Sequence, residues 1–75
     1  HKLHEWMEKE FRLWCEVISR RVEQGELRPD TDVEEAAALF RQVFIGLSYQ
    51  MSFDKGLDVG ILHKRFLYIY ELLKR

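Results

Sequence analysis

The sequence contains one cysteine, one proline and four glycines among its 75 residues. A single cysteine cannot form a disulfide within the chain, which is typical of a reducing compartment and predicts a cytoplasmic location. The scarcity of proline and glycine excludes collagen-like, linker-like and low-complexity segments. The longest unbroken apolar runs, 36–40 and 66–70, have five residues, whereas a membrane-spanning helix needs about 18 or more. The sequence therefore predicts no membrane segment and no contact with a membrane.

Neither sign of charge is in excess, because 12 Lys and Arg residues face 13 Asp and Glu residues for a formal net charge of −1. This balance offers no electrostatic field toward nucleic acid phosphates. A hydrophobic content of 47% with 33% charged residues predicts one folded domain over residues 1–75. A domain of this size buries too little surface for high stability on its own, so we expect a partner subunit. Because the first residue is histidine, we take the chain to be a piece of a longer protein.

Apolar residues recur at steps of three and four in the first third of the chain. This spacing places them on one stripe of a helix, predicted over 2–24. Gly25 is expected to end this helix in the left-handed conformation, and Pro29 disfavours its continuation. The apolar stripe consists of Leu3, Met7, Phe11, Trp14, Ile18 and Val22.

Two further helices are predicted from capping signals followed by helical periodicity. Asp32 occupies an N-cap position with Glu35 three residues later, as in a capping box, and the apolar pattern then continues over 33–53. Asp58 is the next plausible cap, for a helix over 59–73. No segment alternates with the period of two that a half-buried strand requires. The predicted fold class is all-α, with three antiparallel helices joined by short connections.

The apolar arcs of these helices are wider than a three-helix core can cover. We therefore expect the surplus side chains to meet missing parts of the protein or a second copy of the chain. The specific prediction is a two-fold dimer through the second and third helices, with Gly46 near the closest approach. The predicted interface residues are Ala38, Gln42, Ile45, Gly46, Tyr49, Phe53, Leu67 and Tyr70.

The segment 25–32 reads Gly-Glu-Leu-Arg-Pro-Asp-Thr-Asp, and an alanine-rich stretch at 33–40 and an Ile-Gly-Leu triplet at 45–47 follow it. This order resembles the C-terminal regulatory domain of TetR/AcrR-type bacterial transcriptional regulators. The resemblance implies that the last two helices pair with their symmetry mates as a four-helix dimer interface. It also implies a small apolar effector and a repressor as parent protein. DNA would be bound only by an N-terminal helix-turn-helix domain, which is absent from this chain.

An effector pocket is a hypothesis that draws most of its weight from this resemblance. Aromatic residues at helical spacing more often form plain core than a pocket wall. Polar residues inside an apolar arc either pair across helices, reach the edge of the arc or line a cavity. The candidate pocket residues are Trp6, Glu10, Trp14, Phe40, Phe44 and Gln50.

Residues with chemical potential do not assemble into a recognisable catalytic or metal-binding pattern. His1, His4 and Glu8 have a spacing that a metal could use, but a solvated helix end is the simpler interpretation, so no metal and no cofactor are predicted. Cys15 is interpreted as a small buried hydrophobe and His63 as a surface residue. The chain is therefore not expected to be an enzyme.

Two functions from different classes remain open at this stage. The first is an effector-binding and homodimerisation domain of a transcriptional regulator. The second is a purely structural helical oligomerisation module without a ligand, since core and pocket share the same composition. A small enzyme subunit is a weaker third possibility. Direct DNA reading by the third helix is disfavoured, because that helix carries apolar side chains where a recognition helix needs polar ones.

Overall fold

The computed structural model describes residues 2–75, and this part of the chain forms three helices and no strand. They are α1 (Lys2–Glu23), α2 (Val33–Met51) and α3 (Val59–Leu73). The predicted all-α class is confirmed. No helix within residues 2–75 combines the length and apolar character that crossing a membrane requires.

The end of α1 is set by local hydrogen bonds around Gly25. The backbone N–H of Glu26 donates to the carbonyl of Arg21, and that of Gly25 donates to the carbonyl of Val22, both at 3.0 Å. These two bonds form a Schellman motif, in which the residue after the helix adopts a left-handed conformation. Gly25 has a φ of +78°, a value that side-chain-bearing residues rarely adopt. The predicted helix stop at Gly25 is thus confirmed.

Both remaining helices begin at an aspartate that caps them. The Asp32 carboxylate accepts from the backbone N–H of Glu35 at 3.2 Å, and the Asp58 carboxylate accepts from that of Ile61 at the same distance. Each capping residue has an extended backbone, as N-caps require. The two predicted caps are confirmed, and they place the starts of α2 and α3 where the sequence pattern put them.

Replacing Asp32 with alanine is expected to lower the free energy of unfolding by about 1 kcal/mol. The substitution leaves the N–H group of Glu35 without its carboxylate acceptor at the start of α2. Asp32→Asn is the matched control, because asparagine caps helices as well as aspartate does. Urea denaturation followed by circular dichroism measures both variants, and equal midpoints for Asp32→Ala and the parent would contradict the role of this cap.

The second helix, predicted to reach about residue 53, ends at Met51, and Phe53 lies in the turn that follows. The hydroxyl of Ser52 donates to the carbonyl of Tyr49 at 2.6 Å, and the backbone N–H of Gly56 donates to the carbonyl of Met51 at 2.9 Å. Gly56 has a φ of +88°. These bonds close the turn, and they override the apolar periodicity that would have continued the helix.

Successive helices run in opposite directions, with α2 in the middle. Arg41, eight residues into α2, contacts Glu10 in the first half of α1, so α2 runs back along α1. Phe40 in α2 contacts Phe66 in the middle of α3, with ring centroids 5.3 Å apart. The Cα atoms extend over 38 × 33 × 14 Å. One dimension is less than half of each of the other two, so the helices form a flat layer.

The core lies where the connection between α1 and α2 meets the end of α3. Leu27, in that connection, has an exposure of 0%. It forms an isolated antiparallel bridge with Lys74, supported by a hydrogen bond from the N–H of Arg28 to the carbonyl of Leu73 at 3.2 Å. The N–H of Arg75 donates to the carbonyl of Glu26, also at 3.2 Å. The buried residues are Ile18, Leu27, Ala36, Ala37 and Phe40.

Candidate functional site

One face of the helical layer carries an apolar trough between α1 and α3. Phe40 of α2 lies between the two helices, and the trough has a volume of about 310 Å³. This volume lies at the lower end of the ~300–1,000 Å³ range of small-molecule sites. We call this site the trough. Its lining consists of Trp14, Val17, Ile18, Arg21, Glu26, Phe40, Phe66, Leu67 and Tyr70.

Three aromatic rings fix the shape of the trough. Phe66 meets Trp14 edge to face at 5.8 Å and 86°, and it meets Phe40 edge to face at 5.3 Å and 80°. Such perpendicular contacts are favoured by the aromatic quadrupole and are worth about 0.5–1.5 kcal/mol each beyond burial. Each ring comes from a different helix, so the aromatic cluster also holds the three helices together.

Glu10 orients the indole ring of Trp14 in the trough wall. Its carboxylate accepts from the Trp14 indole N–H and from Arg41 Nε, the latter at 2.6 Å. The Arg41 guanidinium also lies over the ring of Phe11, 5.7 Å from its centroid. Glu10 and Arg41 are each about one-fifth exposed, so salt screens their ion pair less than it screens an exposed surface pair. Of the interpretations open for Glu10, the structure realises pairing across helices.

The rim of the trough carries an ion pair. Arg21 Nη1 lies 2.9 Å from Glu26 Oε2. The Tyr70 hydroxyl is buried and faces the same carboxylate, although the two groups do not meet hydrogen-bond geometry. The nearby Tyr70 hydroxyl, followed by Arg21, lowers the pKa of the Glu26 carboxyl. Burial, followed by the proximity of Glu26, raises the pKa of Tyr70. The carboxylate of Glu26 is therefore ionised at neutral pH.

Glu26→Gln is expected to weaken the dependence of the melting temperature on acid pH. A carboxyl whose pKa is lower in the folded than in the unfolded state stabilises the fold above its unfolded pKa, and that stability is lost as the pH falls through the folded pKa. The parent should therefore lose stability below about pH 5 more steeply than the variant. Glu23→Gln is the control, because it also removes one negative charge, but from an exposed residue at the end of α1. This variant should keep the parent's dependence of melting temperature on pH. Parallel melting curves for the parent and Glu26→Gln from pH 7 to pH 3 would contradict this role.

The opposite face of the layer exposes a second apolar surface, which we call the outer face. Tyr49 lies nine residues after Phe40, about 180° around α2, and so points away from the trough. Tyr49 and Phe53 are 69% and 76% exposed and pack edge to face at 5.2 Å. A Cβ atom added at Gly46 would meet nothing within 4 Å. On α2 and the turn after it, the outer face consists of Ala38, Gln42, Ile45, Gly46, Tyr49 and Phe53.

The predicted pocket residues are divided by the structure. Trp14 and Phe40 line the trough. Phe44 does not line it, but its ring centroid lies 6.5 Å from that of Trp14. Trp6 is 63% exposed and Gln50 is also exposed. Neither Trp6 nor Gln50 lies in the trough wall. The residues that the structure brings together at the trough are therefore Trp14 and Phe40.

The predicted interface residues also separate. Leu67 and Tyr70 line the trough together with Phe40, so the structure does not place them beside Gly46 on the outer face. Leu72 lies two residues after Tyr70, about 160° around α3. Its side chain is exposed, and it extends the outer face onto α3.

Seven trough residues were not among the predicted pocket residues, and three of them, Phe66, Val17 and Glu26, differ in the sequence signal that each carries. Phe66 recurs at helical spacing with Leu62, Ile69 and Leu73, a pattern typical of core. Val17 lies beside the main apolar stripe of the first helix, so its position alone gives no pocket signal. Glu26 lies outside any helix and had no periodic signal at all. Pairing between the connection and the end of α3 brings Glu26 to the trough.

The described residues contain no group of three or more side chains that could hold a metal ion. His1, part of the weighed metal spacing, lies outside the described residues, whereas His4 pairs with Glu8 at 2.9 Å. Cys15 is half-buried, and burial, followed by the charge of Glu34, raises the pKa of its thiol. A raised pKa disfavours the thiolate at neutral pH, which agrees with the interpretation of Cys15 as a packing residue. His63 is exposed, as expected.

Comparison with known proteins gives no match to a family model, to a curated protein or to a solved structure.

Proposed function

We propose that this chain is the effector-binding and homodimerisation domain of a TetR-type transcriptional regulator, with a repressor as the parent protein. The effector would bind in the trough, and a second copy of the chain would cover the outer face. DNA would be bound by an N-terminal domain of the parent protein. The mechanism is a shift between conformations, in which the effector favours one arrangement of the helices and the dimer transmits it to the DNA-binding domains.

The observation that carries the proposal is a flat layer of helices with exposed apolar side chains on both faces. The outer face exposes Ile45, Tyr49 and Phe53, while the trough face exposes Val17 and Leu67. Large exposed apolar patches are uncommon on monomeric proteins and often mark binding surfaces. Two different covers, a ligand on one face and a second copy on the other, account for both surfaces.

The outer face favours a two-fold partner that contacts α2 and α3. The side of α1 opposite Val17 carries Arg12, Ser19 and Glu23, so the apolar area stops at α2. Two helices from each copy would then meet and form a four-helix arrangement. A closed two-fold contact buries the same surface on both copies and leaves no sticky edge.

Two measurements on the purified chain test the proposal. Light scattering at micromolar concentration should give twice the chain mass of 9.1 kDa. A thermal shift screen against a diverse library of small apolar molecules should find compounds that raise the melting temperature, because a ligand that binds only the folded state stabilises it by mass action. A dimer that responds to no compound would favour a structural oligomerisation module without a ligand, and a ligand-free monomer would contradict the proposal as a whole.

A further inference from the structure

The trough continues toward the C-terminal end of α1 into a second hollow. This hollow has a volume of about 320 Å³ and is lined by Val17, Arg20, Arg21 and Gln24. Val17 and Arg21 belong to both sites. A molecule with its apolar part in the trough can therefore place a polar group beside two arginine side chains without leaving the surface.

These arginines retain unused hydrogen-bond donors. Arg21 donates from Nη1 to Glu26, whereas a guanidinium group carries five N–H donors. Arg20 forms no ion pair with any residue of the described part of the chain. Guanidinium groups bind carboxylates through paired, charge-assisted hydrogen bonds. The end of the trough thus offers donors for an anion.

The Glu26 carboxylate at the same end of the trough already has partners within the chain. Glu26 faces Tyr70 and pairs with Arg21, and Lys74 adds a further positive charge nearby. An amine ligand would have to compete with these groups for Glu26. The charges on the rim therefore favour an anionic ligand over a cationic one.

The carbonyl end of α1 carries partial negative charge and opposes an anion. Several of its last carbonyl groups are satisfied by backbone donors, including Arg20 O by the N–H of Gln24 at 3.0 Å and Arg21 O by that of Glu26 at 3.0 Å. Attraction to the ligand must therefore come from the arginine side chains, and that of Arg21 reaches Glu26 beyond the helix end.

We propose that the trough binds a small carboxylic acid whose aromatic or aliphatic body packs against Trp14, Phe40 and Phe66 and whose carboxylate pairs with Arg21 and Arg20. This inference rests on the proposed effector-binding function and specifies the chemical class of the effector. The trough of about 310 Å³ is roughly twice the ~150 Å³ cavity that accommodates benzene. A body of two fused rings matches this size.

The probe is 2-naphthoate, and 2-naphthylmethanol is the neutral control ligand with the same ring system. Calorimetry of the intact chain gives both affinities, and the NMR shift of the Trp14 indole reports whether either compound enters the trough. Arg20→Gln/Arg21→Gln should weaken 2-naphthoate about tenfold or more, because charge-assisted hydrogen bonds are lost. The same double variant should change 2-naphthylmethanol binding by less than about twofold, since a neutral ligand gains little from either charge.

Arg12→Gln is the matched control variant, because it removes the same charge from the opposite side of α1. It should leave both affinities unchanged, and circular dichroism verifies that every variant keeps its helices. Equal binding of the two ligands, unaffected by the double variant, would overturn the carboxylate inference while leaving an apolar effector in place. Failure of both ligands to bind would overturn the inference together with the effector role. NMR signals showing that Trp14 and Leu67 are already protected from solvent in the ligand-free dimer would identify a second copy as the occupant. That result would overturn the inference.

Discussion

Leu27→Ala is expected to lower the free energy of unfolding by about 3 kcal/mol, since removing a fully buried leucine leaves a cavity as well as losing burial. Leu27 has an exposure of 0% and is the only large side chain of the described residues that is fully enclosed. Its neighbours form the backbone pairing between the first connection and the end of α3. The substitution therefore weakens the contact that closes the three helices on each other.

Leu13→Ala is the matched control, because the same atoms are removed from a side chain that is 60% exposed on α1. It should cost less than about 1 kcal/mol, since surface substitutions usually have small effects. Urea denaturation of both variants at one protein concentration gives the comparison. A Leu27→Ala midpoint as high as that of Leu13→Ala would show that the connection does not anchor the fold.

The helix starts could be predicted from the sequence because their signals are local. An aspartate followed by helical periodicity is sufficient, as Asp32 and Asp58 demonstrate. The end of α2 differs by two residues from the approximate prediction, because the helix stop depends on hydrogen bonds in the turn. Phe53 continues the apolar pattern of the helix. The hydrogen bond from the Ser52 hydroxyl to the Tyr49 carbonyl and the left-handed Gly56 nevertheless turn the chain at this point.

The role of Leu27 could not be predicted, because its burial depends on a contact distant in sequence. The segment 26–28 has no periodicity, and its partner segment 73–75 was read only as the end of a helix. The pairing between them also explains part of the motif that carries the sequence resemblance. Gly25 ends α1, and Leu27 then enters the core.

Prediction of the candidate site depended on which side of each helix faces the layer. The polar residue Glu10 was recognised as unusual, but its partner Arg41 was not, since the register between α1 and α2 is a tertiary property. The surplus apolar residues Leu67 and Tyr70 were assigned to the dimer for the same reason. Helical periodicity gives the angle between two side chains, and the packing of α3 determines which face of the layer they join.

Gly46→Leu is expected to separate dimerisation from stability within the chain. Gly46 is exposed, and a Cβ atom at this position meets nothing within 4 Å, so the side chain of the leucine starts into open space within the single chain. Glycine costs a helix interior about 1 kcal/mol relative to alanine, and most residues that replace it should stabilise α2. The isolated chain should therefore keep its helical content or gain slightly in stability.

The same leucine should disrupt the dimer, if two outer faces meet near Gly46. Packed helices lie about 8–10 Å apart depending on the side chains between them, and a leucine at the crossing point forces the two copies apart. We expect the dissociation constant to rise by about tenfold or more. Light scattering across a dilution series should show the mass falling toward one chain at concentrations where the parent is a dimer.

Gly46→Ala and Glu16→Leu are the two controls for this experiment. The alanine variant gains helix propensity with little added volume, so it should retain more of the dimer than the leucine variant does. Glu16→Leu adds the same side chain to the exposed polar side of α1, away from the outer face, and should leave the dissociation constant unchanged. A Gly46→Leu chain that is folded and dimerises as tightly as the parent would place the interface elsewhere. Loss of the dimer together with unchanged helical content can arise only from contacts outside the single chain, because within it Gly46 faces open space.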